Sequence, residues 1–151
     1  MKQTFLVALS LFALISCKDN TAATSPETQI ETEQTVANTE ESDVLALNNS
    51  EKWAVNEEMK PFVMNGEALV SSYISENRTD YKELANALKE ENNKLIKSCT
   101  MDGASHDELH KWLHPHLELV GNLENAADEK MGQEVVQKLS DSYVTYHQFF
   151  N

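Results

Sequence analysis

The sequence predicts an all-α domain, an antiparallel up-down-up-down four-helix bundle spanning residues 50–151. Three observations predict it. Apolar residues in this region recur at spacings of three and four, and nowhere alternate over the length of a strand. Four such segments are separated by breaks that carry glycine or helix-capping residues. The breaks are short, so consecutive helices must double back on one another.

The first segment runs from Ser50, a residue able to cap a helix, to about Ile74, with Val55, Met59, Phe62, Gly66, Leu69 and Tyr73 as its inner stripe. Asp80, with Glu83 three residues later, is a capping-box start for the second, which turns Leu84, Leu88, Leu95 and Cys99 inward. Asp102-Gly103 breaks the chain, and Ser105 with Glu108 forms another capping box. The third helix then buries Leu109, Leu113, Val120 and Leu123. The fourth extends from about Asp128 to Phe150, with Val136, Leu139, Tyr143, Tyr146 and Phe150 inward. Pro61 and Pro115 each sit about ten residues into their runs. Each either kinks its helix or marks the first turn of a helix that starts later, and the sequence leaves both open.

Ahead of the bundle stand two segments of a different kind. Residues 1–16, MKQTFLVALSLFALIS, place a lysine before an apolar run too short to span a bilayer, the pattern of a secretory signal. The run ends in Leu14-Ile15-Ser16-Cys17, which resembles the lipobox of bacterial lipoproteins. That resemblance implies cleavage before Cys17 and acylation of the cysteine, hence a lipid anchor at the cell envelope, periplasmic or on the outer membrane. Residues 17–49 then read as a flexible acidic tether: from residue 18 they hold no aromatic residue and are rich in Thr, Glu, Asn and Ser. The formal net charge is −13. An acidic domain on an acidic tether excludes nucleic acid and anionic lipid headgroups as natural ligands, so membrane contact is assigned to the lipid on Cys17 alone.

The stretch SCTMDGASHDELHKWLHPH, residues 98–116, carries the candidate chemistry. Up-down topology brings the start of helix one, the end of helix two, the start of helix three and the end of helix four to one pole. Met59, Cys99, Met101, His106, His110 and His147 all belong to it. His106 falls near the centre of helix three's buried stripe and His110, at i+4, about 40° away; the two share a helix face, an arrangement that holds a metal through two imidazoles. Cys99 and Met101 add a thiol and a thioether, a soft set that favours copper(I) over calcium or magnesium. His114 lies about 40° further round, toward solvent, and His116 falls on the other flank as a core-edge histidine. The stretch also resembles a Cys-Thr-Met…His-Asp-x-Leu-His pattern of small Bacteroidetes-type envelope proteins near copper-handling systems.

The ending Tyr146-His147-Gln148-Phe149-Phe150, together with Trp112-Leu113-His114 and Leu119-Val120-Gly121, resembles the cytochrome b562 family of four-helix bundles. By that resemblance Met59 and His147 ligate haem b, and the protein carries one electron at a time. Without a C-x-x-C-H motif the haem would be held non-covalently.

No enzyme is expected. Neither G-x-S-x-G nor a phosphate-binding glycine loop is present, and Asp107 stands where a zinc protease would need a glutamate. Three readings remain: a haem protein, a copper(I) buffer, chaperone or sensor, each with a redox or metal-handling protein partner, and a cofactor-free interaction module.

Overall fold

A computed structural model describes residues 44–151; the signal segment, Cys17 and most of the tether lie outside the described residues. Four helices follow in order: α1 (Lys60–Ser75), α2 (Tyr81–Ser98), α3 (Gly103–Glu124) and α4 (Glu129–Phe149). Among the described residues there is no strand, only two isolated bridges. Each helix packs on the next in sequence and α1 closes against α4, which leaves α1 and α3 across the diagonal. This is the expected four-helix bundle.

Its core follows the predicted stripes. Met59, Leu88, Leu95, Leu109, Leu123, Leu139 and Phe150 are enclosed almost completely, and Val120, Tyr143 and Tyr146 lie with them. Phe62, Leu69 and Cys99 are only partly covered, at the edges of that core. Apolar burial at these positions, and not intrinsic helix propensity, is what holds helices of this length in water.

Helix α1 begins nine residues later than the sequence predicts, with Met59 and not Ser50 at its N-cap. Ser50 is not its cap: Asn49 and Ser50, at φ 51° and 73°, form the tight turn of a two-residue hairpin closed by Asn48 and Glu51. Pro61 instead occupies the first turn, where its missing N–H is no loss. Residues 44–59 cross the bundle as a strap. The Trp53 indole donates to the Ala46 carbonyl (2.6 Å), and the Trp53 amide donates to the Phe149 carbonyl (2.8 Å). Asn56 clips the start of α1 to the end of α2, donating to the Ser98 carbonyl (3.0 Å) and accepting from the Thr100 amide (3.2 Å).

Two expected capping boxes are absent. Asp80 precedes α2, but its carboxylate accepts from Arg78 (2.5 and 3.0 Å) instead of capping, and this holds its pKa at about 2. Ser105 lies inside α3, which starts at Gly103 with φ +59°, and Glu108 is drawn away to the strap and Lys111. The start of α4 is as expected: Asp128 accepts from the Met131 amide at 2.8 Å. Helix α1 ends in a Schellman turn with Asn77 at φ 52°, its bonds running Arg78 to Tyr73 and Asn77 to Ile74. Pro115 is inside α3, the one interior proline of the four helices.

Candidate metal centre

Helix α3 has two faces of different chemistry. Leu109, Trp112, Leu113, His116, Val120 and Leu123 turn into the bundle and are buried. The i, i+4 row His106, His110, His114 and Glu118 runs along the outside, so His106 is not at the centre of the buried stripe where helical phase puts it; that centre falls to Leu109, Trp112 and His116. His106 and His110 are half-buried, whereas His114 and Glu118 are exposed. The row lines a surface groove of about 600 Å³, joined by Asp107 and Lys111.

Within it the Nε2 atoms of His106 and His110 stand 3.1 Å apart. Two imidazole nitrogens at 2.0–2.1 Å from one ion, at angles between square and tetrahedral, would be about 2.9–3.4 Å apart. The observed separation falls inside that range. It also suits a neutral N–H···N hydrogen bond between the rings, so the pair is preorganised with or without an ion. Burial pushes the His110 pKa below its ordinary value, and the neighbouring His106 and His114 rings push it the same way. A neutral imidazole is the form that ligates. Lys111, the nearby cation, is tied to the buried carboxylate of Glu108 at 2.9 Å, which also accepts the Ala46 amide of the strap.

Cys99 is the half-buried residue that ends α2, and Met101 is half-buried in the following link; both pack against the hydrophobic core. Among the described residues, no three His, Cys, Asp or Glu side chains are arranged to hold one ion. Of Cys99, Met101, His106 and His110, the structure brings the two imidazoles into contact, and the two sulfur side chains pack against the hydrophobic core.

Met59 and His147 fit a haem poorly. Met59 is 1% exposed, closed into the core at the start of α1. His147 is on the outside of α4, its side chain 49% exposed and its Nε2 2.8 Å from the Glu67 carboxylate. The nearby interior is filled with rings: Trp112 packs 4.8 Å from Tyr146, which stacks 5.2 Å from Phe150. A macrocycle would have to displace these rings and free both donors.

Helical phase puts His114 toward solvent, and the sequence pattern alone gives Glu118 no role. The signal that finds them is the unbroken spacing of four from His106 to Glu118. No family model matches this chain, nor does any curated protein or solved structure.

Proposed function

We propose that this protein binds copper on the outer face of α3 and acts, from a lipid anchor at Cys17, as a copper buffer, chaperone or sensor of the bacterial cell envelope. One observation carries the reading: two imidazole Nε2 atoms 3.1 Å apart in a groove of about 600 Å³. Imidazole ligands accept copper, and copper(II) heads the affinity order of divalent first-row ions. Two ligands leave coordination positions open toward the groove, which suits an ion meant to be handed to a partner rather than kept.

The test is a titration of the purified full chain, in detergent, with copper(I) under reducing conditions and separately with haem. Copper should bind at micromolar affinity or tighter, and His110→Ala should weaken it at least about tenfold. Binding should also weaken as pH falls through the imidazole range, because protons and the ion compete for the same nitrogens. Haem uptake that is lost in Met59→Ala or His147→Ala would replace this reading with an electron carrier. If neither ligand binds, what remains is a cofactor-free interaction module.

A further inference from the structure

We infer that His106, His110 and His114 form a ladder in which a single copper ion occupies either of two positions, both of which use His110. The inference rests on the copper reading above and sharpens how the site is built.

The observation is a repeat of ring geometry one turn along α3. The rings of His106 and His110 lie 4.4 Å apart, centroid to centroid, with planes at 70°. Those of His110 and His114 lie 4.7 Å apart with planes at 73°. The two ring pairs are therefore alike in spacing and tilt, offset by about 6 Å along the helix axis; the ring nitrogens meet at 3.1 Å in the first pair, and a swing of the His110 ring would turn the same nitrogen toward His114. One groove is lined by all three rings and continues to Glu118, so an ion at either position stays within the same walls.

The chemistry of imidazole fixes the occupancy. A neutral imidazole has one nitrogen lone pair free to ligate, its other nitrogen carrying the proton. His110 serves His106's ion or His114's ion, never both at once. Nor do the three rings act together on one ion, since no three such ligands are arranged to hold one. The outcome is one ion, two positions, and a short step between them that moves the ion from the half-buried His106 end to the exposed His114 end. That step, made by a swing of the His110 ring with the ion still on its nitrogen, is a route by which a bound ion reaches a partner without first dissociating from His110.

The arrangement predicts an unequal mutant series, read on the full chain in detergent by copper(I) competition with a chromophoric chelator. Wild type should bind one ion. His106→Ala and His114→Ala should each keep one ion and weaken it only about two- to threefold, since each removes one of two comparable positions. His110→Ala should lose tenfold or more, because its two remaining rings are eight residues apart. Far-UV circular dichroism confirms that each variant keeps its helices, and all three residues are at least partly exposed. An unchanged His114→Ala would overturn the ladder in favour of a fixed His106–His110 site, leaving the copper reading intact. Equal large losses in all three variants would overturn it in favour of a three-ligand site, and two ions per chain would overturn single occupancy. Wild type that binds no copper removes the ladder together with the reading beneath it.

Discussion

His116 is fully enclosed, stacked 4.9 Å from Trp112 and edge-on 4.9 Å from Tyr143, with Nδ1 3.0 Å from the Ser142 hydroxyl. Its Nε2 has no hydrogen-bond partner. Burial lowers its pKa from 6.5 to about 4. Between those values the unfolded chain binds a proton that the folded chain refuses, so the contribution to stability is whole above pH 6.5 and drains as pH falls toward 4. The shift corresponds to a loss on the order of 3 kcal/mol across that window. Urea unfolding of wild type and His116→Phe at pH 7 and pH 4.5 checks this: the phenylalanine variant should lose clearly less stability on acidification. Equal losses in the two proteins would assign the acid sensitivity to the carboxylates. Helical phase alone set His116 at the edge of the stripe, and it is in fact inside. What the phase misses is the cover that Trp112 and Tyr143 lay over it, because that depends on how α3 and α4 meet.

The approach of α1 to α4 turns on a single missing methyl group. A Cβ built at Gly66 would stand 2.2 Å from the Tyr143 hydroxyl oxygen and 3.1 Å from the adjoining ring carbon. Tyr143 cannot swing clear, since it is buried beside His116. Gly66→Ala should therefore destabilise by about 1–3 kcal/mol through overpacking, even though alanine is the better helix former by about 1 kcal/mol. Tyr143→Phe removes the closest atom, so the alanine penalty should shrink in that background. A double-mutant cycle in denaturant measures the coupling, and an uncoupled pair would mean that another contact sets the helix spacing. At this scale the sequence was largely legible: every helix, and the inward stripes of the last two, could be read from spacing alone. Helix ends were harder to read. Pro61 opens α1 and Pro115 lies inside α3, yet both looked alike in sequence, because the choice depends on what the preceding residues bond to. The strap takes residues 50–59 out of helix by pairing Trp53 with the end of α4, nearly a hundred residues away. It also claims Glu108, which local pattern had given to a capping box.

For the molecule as a whole, the groove and the fold depend on each other in a way that ion binding should report. The candidate site lies on one helix, and two imidazoles share a face only while that helix is formed. Helix α3, in turn, is held by its buried stripe against α2 and α4. Anything that binds the folded groove must then stabilise the entire bundle by mass action, by about 2.7 kcal/mol at a free ion concentration a hundred times Kd. The unfolded chain keeps its histidines and Cys99 as loose ligands, and this offsets part of the gain. The net effect should be a rise in Tm of several degrees for wild type with copper(I) in excess, and little or none for His110→Ala. Differential scanning calorimetry on the full chain, with and without the ion, measures both. A wild-type Tm that stays constant under conditions where binding is established would detach the ion from the folded face of α3. A falling Tm would place the stronger ligands in the unfolded chain. The four residues clustered in the sequence make the second outcome a real competitor, since an unfolded segment lets Cys99, Met101, His106 and His110 gather freely, whereas among the described residues of the bundle no three His, Cys, Asp or Glu side chains are arranged to hold one ion. The sign of the shift therefore distinguishes a site built by the fold from one merely written in the sequence.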